Sequence, residues 1–339
     1  MGVTQSDGGG EPRLSAGIAA RLLLISAAVI LLPSVDALAQ VWPQKTIKIM
    51  VGLAPGGPPD IAARIIAPKL GDALAQPVIV ENHASAGGIV MMEQVAKASP
   101  DGYTLGLVSV GTMFLAKALL PDAPYDPVAS FVPVGKFAKT NFILASGTGL
   151  PARSLKEFVN LAKAQPGKLN YGASVVGSVP HILAEMFKRQ AGVDIVGINY
   201  RGAAESMTRF QAGDVQMVFD SFSVVEPVVA RTKAIALMVT SQGRSRKLPE
   251  VPTASEAGMP ELALESWFGL VAPKGTSTAI VSRLNAELVR AVASTDVADA
   301  IAKVGLDAVA DTPDQFAEMI RNDWPKWHAA VMASGAKRH

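Results

Sequence analysis

The chain has no cysteine among its 339 residues, which excludes a disulfide framework, a cysteine-based metal site and a cysteine nucleophile. Histidine is scarce as well, and no two of the four histidines stand at a spacing that predicts a shared metal ion. Charged residues make up 18% of the chain, and no basic run alternates with aromatic residues. The sequence therefore does not indicate a nucleic-acid partner, and we expect no cofactor and no bound metal.

Several catalytic signatures are also missing. The chain contains no G-x-S-x-G, no G-x-x-x-x-G-K-[ST] and no H-E-x-x-H. Residues 147–152 fit G-x-G-x-x-A formally, but Pro151 and the helix-capping Ser154 place the next helix too late for a dinucleotide site. The sequence thus lacks the motifs that mark the common hydrolases, nucleotide-binding enzymes and zinc proteases.

The N-terminal segment has the three parts of a secretory signal peptide. Arg13 and Arg21 precede the apolar run at residues 22–32, and Ala37-Leu38-Ala39 provides an A-x-A cleavage site. The run is short for a bilayer span, although an uncleaved anchor is the alternative. We therefore predict that residues 1–39 are removed after Ala39 and that the mature protein is periplasmic.

Strand-like and helix-like patterns alternate through the rest of the chain. The clearest unit is a strand at residues 46–51, a Gly- and Pro-rich turn at 52–60 and an amphipathic helix at 61–70. Such repeated units predict an α/β fold with parallel sheets flanked by helices, and the length suggests two domains. Residues 121–133 are predicted to form a surface loop because they are rich in proline.

Small-residue turns recur at residues 52–60, 82–88, 109–112, 170–178 and 200–203. Each leads towards a helix, where unpaired backbone N–H groups and hydroxyls can bind an anion. In α/β sheets, ligands bind beyond the carboxyl ends of strands, where such turns lie. Together the turns indicate a site for a small acid or polar molecule, although each one alone also fits an ordinary structural turn.

The motifs also resemble those of one family. They are Ala54-Pro55-Gly56-Gly57 with Asp60, Pro77–Asn82, Asp101–Leu105, Pro166–Gly172, Val251–Gly258 and Ser266–Leu270. In this order they resemble the Bug/TctC family of extracytoplasmic solute receptors, over essentially the whole mature chain. The resemblance implies a two-lobed periplasmic binding protein fold of the type II kind, with two sheets flanked by helices and a ligand cleft between the lobes.

By the same resemblance, lobe one comprises residues 41–140 plus 266–339, and lobe two comprises residues 141–265. The implied ligand is a small organic acid, held mainly by backbone amides, and the implied partner is the integral membrane permease of a tripartite tricarboxylate transporter. The site residues implied by the family are Leu53, Ala54, Pro55, Gly56, Gly57, Asp60, Ser85, Gly87, Gly88, Ser109, Thr112, Ser174, Gly177, Ser178, His181, Tyr200, Arg201, Gly202, Asp220 and Ser221.

The first of these turns departs from the family pattern. The family commonly has an aromatic residue where this chain has Leu53, and Gly followed by Ser or Thr where it has Pro58-Pro59. Proline has no N–H, so two donors and a hydroxyl are lost at the helix start. Since a hydrogen bond to a charged group is worth about 1.5–3 kcal/mol, we hypothesise a ligand larger or more apolar than the common dicarboxylates. Asp60 has two interpretations, a helix cap or a ligand contact.

Two other functions stay open at this level. Ser174 or Ser178 with His181 could act as a secreted hydrolase, since residues 178 and 181 are close enough on one helix entrance to touch. The same receptor fold could instead present its ligand to a membrane kinase as a sensor. The sequence does not distinguish transport from sensing.

Overall fold

The structure is a computed structural model, and it describes residues 42–84, 86–173, 177–200 and 202–336. Contacts divide the chain into two units, Met1–Gln44 and Lys45–His339. In the first unit residues 42–44 are described, and the Trp42–Pro43 peptide bond is cis. The second unit contains both sheets. The predicted signal peptide lies outside the described residues.

The first sheet has six strands in the order β11-β4-β10-β3-β1-β2. Its strands are β1 Ile47–Val51, β2 Val78–Asn82, β3 Thr104–Ser109, β4 Phe131–Thr140, β10 Ser266–Pro273 and β11 Asp307–Ala308. The helices of the same segments are α1 Pro58–Leu74, α2 Ile89–Lys97, α3 Ala116–Leu119, α8 Thr278–Ala293, α9 Thr295–Lys303 and α10 Pro313–Ser334. Gly111–Leu115 forms a π-helical turn that leads into α3.

The second sheet has five strands in the order β7-β6-β8-β5-β9. Its strands are β5 Phe142–Ser146, β6 Leu169–Ala173, β7 Ile195–Asn199, β8 Met217–Ser221 and β9 Ile235–Val239. The helices of this part are α4 Leu155–Ala164, α5 Val179–Ala191, α6 Ala203–Ala212 and α7 Phe222–Arg231. Short 3-10 turns lie at Ala86–Gly88, before α2, and at Pro260–Leu262, before β10.

The chain passes between the sheets twice, once between β4 and β5 and once between β9 and β10. This confirms the predicted α/β architecture of two sheets flanked by helices. The lobe boundaries drawn from the sequence stay a prediction, which the membership of each sheet supports.

The prediction that the sheets are parallel is wrong for the strands next to these connections. β10 runs antiparallel to β3 and β4, and β5 runs antiparallel to β8 and β9. A strand that enters a sheet directly from the other sheet needs no crossover helix, so nothing forces it to be parallel. β1 is parallel to its neighbours β2 and β3, and β6 is parallel to its neighbours β7 and β8.

Two strands lie in segments that the sequence predicted to be loop or turn. β4 begins at Phe131, inside the predicted loop, and its Pro133 lies where the pairing with β10 shifts register. β6 covers the first residues of the predicted turn at residues 170–178. Gly172 belongs to this strand, and it is a glycine because the side chain of Ser206 packs closely against it. A Cβ there would lie 2.6 Å from Ser206 Oγ.

The core of the first sheet centres on β10, every residue of which is buried. The Trp267 ring meets Phe114 and Phe316 edge to face, with ring centroids 5.5 Å and 5.2 Å away. Edge-to-face contacts of this kind add to the free energy gained from apolar burial. These contacts pack β10 into the core beside β3, the strand that leads into one of the predicted turns.

Candidate functional site

Three turns of the first sheet lie against one another. β1 lies between β2 and β3 and runs parallel to both, so the carboxyl ends of the three strands share one edge. A Cβ on Gly52, after β1, would lie 2.6 Å from Gly88 Cα, and a Cβ on Gly88 would lie 2.8 Å from Thr112 Cγ2. The predicted site residues of these turns are therefore brought together, and the close approach depends on two glycines.

The turn after β1 is fixed by a chain of side-chain hydrogen bonds. Asp60 is buried, and its carboxylate accepts from the Gly56 N–H at 2.9 Å and from Arg64 Nε at 3.0 Å. Arg64 also donates to Asn82 Oδ1 at 3.0 Å, and Asn82 Nδ2 donates to the Leu53 carbonyl at 3.1 Å. The bond from Arg64 holds the pKa of Asp60 below its usual range. The Asp60 carboxylate is thus ionised and engaged by the protein itself.

This geometry changes what the start of α1 offers to an anion. The N-cap is Gly57 without a side-chain cap bond, and Pro58 and Pro59 open the helix without N–H groups. The Gly56 N–H is already used by Asp60. Asp60 neither caps the helix nor leaves its carboxylate free. Residues 54–56 are exposed and Leu53 is half-buried. This turn therefore presents mainly apolar surface to a ligand.

Replacing Asp60 with alanine should loosen this turn and weaken ligand binding. The variant loses the acceptor for Gly56 and Arg64, and we expect the free energy of unfolding to fall by about 1–3 kcal/mol. Urea denaturation and isothermal titration with an identified ligand measure the two effects. Asp72→Ala, an exposed position on the same helix, is the matched control. Unchanged affinity in Asp60→Ala would contradict a role of this turn in binding.

The turns after β2 and β3 are shaped by backbone and hydroxyl groups. Gly87 and Gly88 both have positive φ, 69° and 93°, which glycine adopts without strain. Ser109 and Thr112 are buried, and the hydroxyl of each accepts from the other's backbone N–H, at 3.3 Å and 3.0 Å. The Tyr125 hydroxyl donates to the Thr112 carbonyl at 2.9 Å. The two hydroxyls therefore order the turn that leads into the π-helical segment.

In the second sheet, the turn after β6 ends at the start of α5. The N-cap Ser178 accepts from the His181 backbone N–H at 3.4 Å, and the His181 ring accepts from the Gly177 N–H through Nδ1 at 3.1 Å. Burial lowers the pKa of His181, so the ring is neutral at pH 7. Among the described residues no hydrogen bond joins the Ser178 hydroxyl to that ring, so the geometry does not support the hydrolase hypothesis.

The remaining predicted residues of the second sheet lie after β7 and at the end of β8. The Tyr200 N–H donates to the Ala173 carbonyl at 2.8 Å, which ties the ends of β6 and β7 together. Gly202 is the N-cap of α6. Asp220 is buried near the end of β8, and burial raises its pKa to about 6. Its Oδ1 accepts from the Ser221 N–H at 2.7 Å.

Three predicted site residues, Ser85, Ser174 and Arg201, lie outside the described residues. The others fall into two groups, one at the carboxyl edge of β1–β3 and one at the carboxyl edge of β6–β8. Their part as ligand contacts stays a prediction. Asn82 and Arg64, which hold the first turn, were missed as site-positioning residues. The i, i+4 spacing of Asp60 and Arg64 was the available signal for one of their bonds.

Two cavities lie near the segments that connect the sheets. One, of about 680 Å³, is lined by Lys136, Arg189 and Trp267 among others. The second, of about 850 Å³, includes Asn141 and Arg246. Neither is lined by a predicted site residue. No sequence pattern indicated them, because their lining comes from segments that lie far apart in the chain.

The structure also bears on two other classes of site. Within residues 42–84, 86–173, 177–200 and 202–336, no group of three or more histidine or acidic side chains is placed to hold a metal ion. No helix in the described part of the chain has the length and apolar character needed to cross a bilayer.

Comparison with known proteins adds to this geometry. The chain is 34% identical to BugT of Bordetella pertussis over 300 residues, which are 88% of this chain and 92% of BugT. Its fold matches MatC of Rhodopseudomonas palustris with bound malate, at 31% identity and a TM-score of 0.70 over 86% of this chain and 100% of MatC. It also matches R. palustris Rpa4515 with adipate, at 28% identity and a TM-score of 0.73 over 87% of this chain and 99% of Rpa4515.

A family model covers most of the described chain. The model of the tripartite tricarboxylate transporter family receptor matches residues 62–335. This range includes most of α1, every strand from β2 onwards and both connections between the sheets. The resemblance inferred from the motifs is confirmed. The chain belongs to the TctC family of tripartite tricarboxylate transporter receptors, the periplasmic solute-binding proteins.

Proposed function

We propose that this receptor captures a small carboxylate between its two sheets and passes it to the membrane permease of a tripartite tricarboxylate transporter. The observation that carries the proposal is the likeness to MatC with bound malate, which spans the whole of that chain. Rpa4515 with adipate supports a carboxylate as the ligand class. The protein has no chemistry of its own in this role, and it is exported by means of an N-terminal signal peptide that is cleaved after Ala39.

Residues 41–140 plus 266–339 form one lobe and residues 141–265 the other, and the ligand lies between their strand edges. The turns after β1, β2 and β3 supply one wall, and those after β6, β7 and β8 supply the other. Closure is a hinge motion about the two connections. Capture of the ligand would also be the first step in a sensor, but no observation on this chain favours sensing.

The first wall supports the hypothesis of a larger or more apolar acid. Pro58 and Pro59 provide no N–H, and the Gly56 N–H is held by Asp60, so few donors of this turn remain for a compact dicarboxylate. Sub-micromolar binding of succinate or malate by the purified mature protein would refute this hypothesis.

A thermal-shift screen of organic acids, followed by native mass spectrometry, tests the proposed function. The panel includes succinate, malate, adipate, benzoate and 3-phenylpropionate. A true ligand at a hundredfold excess over its dissociation constant should stabilise the protein by about 2.7 kcal/mol. A bound acid with one-to-one stoichiometry supports the proposal. The absence of any stabilising acid, together with an unliganded mass from freshly purified protein, would overturn it.

A further inference from the structure

A buried carboxylate lies at the edge of the second sheet. Asp220 is the fourth residue of β8 and is only 7% exposed to solvent. β8 pairs in parallel with β6, and β6 with β7, so Asp220 stands at the carboxyl edge that also carries the turns to α5 and α6. Ligands of α/β sheets bind beyond this edge.

Among the described residues, few groups compensate the charge of this carboxylate. Asp220 Oδ1 accepts from the backbone N–H of its neighbour Ser221 at 2.7 Å, and the only groups of described residues that stabilise its charge belong to Ser221. No described lysine, arginine or histidine forms an ion pair with it. The contrast with Asp60 is clear, because Asp60 accepts from both Gly56 and Arg64.

A poorly compensated carboxylate is costly when buried, and more so beside an anionic ligand. Charges of one sign repel strongly where water is excluded. A ligand that places a hydrogen-bond donor next to the Asp220 carboxylate offsets the free-energy cost of burying its charge, since a charged acceptor makes strong hydrogen bonds. A ligand that brings only carboxylates and hydrocarbon adds to it.

We propose that Asp220 selects carboxylates that also carry a hydrogen-bond donor, a hydroxyl or an ammonium group, and that its side chain accepts from that donor. This inference rests on the proposed function, because it assigns the ligand class of the same cleft. Asp220 then acts as a specificity-determining residue, while the amides of the surrounding turns hold the carboxylate.

Two matched series of acids test this by isothermal titration at pH 7.5. Succinate, malate and aspartate differ only in hydrogen, hydroxyl or ammonium at one carbon. The larger series is 3-phenylpropionate, 3-phenyllactate and phenylalanine. In at least one series, we expect the wild type to bind a donor-bearing member at least about 10-fold more tightly than the unsubstituted acid.

The variants show whether Asp220 is responsible. Asp220→Ala should reduce the preference to within about twofold by weakening the donor-bearing acid while leaving the unsubstituted acid equal or tighter. Asp220→Asn keeps an acceptor oxygen, so it should retain part of the preference for hydroxyl and lose that for ammonium. Asp194→Asn, an exposed position before β7 at the opposite edge of the sheet, is the control and should keep both.

The outcomes separate the two proposals. Equal binding of all three members in every series that binds, or a preference that survives in Asp220→Ala, would overturn the role of Asp220 and leave carboxylate capture intact. Failure of every acid in both series and in the thermal-shift screen would overturn the proposed function itself. Circular dichroism of each variant confirms that the fold is retained.

Discussion

Replacing Gly88 with alanine should weaken ligand binding strongly. Gly88 has a φ of 93°, a conformation that costs a non-glycine residue about 1–3 kcal/mol. The new methyl group would also lie 2.8 Å from Thr112 Cγ2, so the turns after β2 and β3 must move apart. We expect the free energy of unfolding to fall by about 1–3 kcal/mol or more. Affinity should fall more than about 10-fold, because both turns belong to the predicted wall.

Gly243→Ala is the matched control for this prediction. Gly243 has no heavy atom within 4 Å of the new Cβ position and is not at positive φ, so the same substitution there should change neither stability nor binding. Isothermal titration and urea denaturation of both variants provide the comparison. If Gly88→Ala folds with lower stability but binds with wild-type affinity, these turns are not part of the binding site.

Replacing Asp220 with asparagine should stabilise the ligand-free protein at neutral pH. Burial raises the pKa of Asp220 from 3.8 to about 6 in the folded state. Ionisation therefore favours the unfolded state. This cost is absent below about pH 4, grows as the pH rises to about 6, and is complete above it, where this difference in pKa corresponds to about 3 kcal/mol. Asparagine avoids the cost and still accepts from the Ser221 N–H.

Urea denaturation at several pH values measures this difference. At pH 7.5 the unfolding free energy of Asp220→Asn should exceed that of the wild type by about 2–3 kcal/mol, and the excess should shrink towards zero near pH 4. Asp194→Asn should show no such gain. An Asp220→Asn variant that is equal to or less stable than the wild type at pH 7.5 would mean that the protein compensates this carboxylate. A substitution that stabilises the fold at the expense of binding is a common trade between stability and function.

The first strand–turn–helix unit was predictable because its pattern is local. Ile47, Ile49 and Val51 alternate on one face, and a glycine-rich turn separates them from an amphipathic helix. The start of α1 at Pro58 rather than Ile61 follows from the preference of proline for the first helical turn. The alternation of strands and helices likewise predicted the α/β class.

What the sequence did not reveal depends on contacts between distant segments. β4 contains Pro133 and Gly135, residues that normally disfavour strands, yet it pairs with β10, which lies far along the chain beyond the whole second sheet. In the sequence, Gly172 indicated a turn. In the structure it lies in a strand, where Ser206 and Tyr200 pack against it and leave no room for a side chain. Strand direction next to the connections also depends on how the chain returns from the other sheet.

For the site, the sequence located the turns but not the state of their side chains. Asp60 and Asp220 are the same residue type, and Asp60 lies in the first turn of α1 whereas Asp220 lies near the carboxyl end of β8. Asp60 is held by Arg64 and has a lowered pKa, whereas Asp220 is buried without a cationic partner among the described residues and has a raised pKa. Burial and hydrogen-bond partners decide between these states, and both arise only when the chain folds.

Hydrogen–deuterium exchange with and without a bound acid tests the central claim most directly, which is that one ligand is held by turns from both sheets. We expect slower exchange in the ligand complex at residues 52–57, 86–88 and 109–112 of the first wall. We expect the same at residues 177–181, 199–202 and 220–222 of the second. Protection confined to one sheet, or to the cavities near the connecting segments, would contradict it.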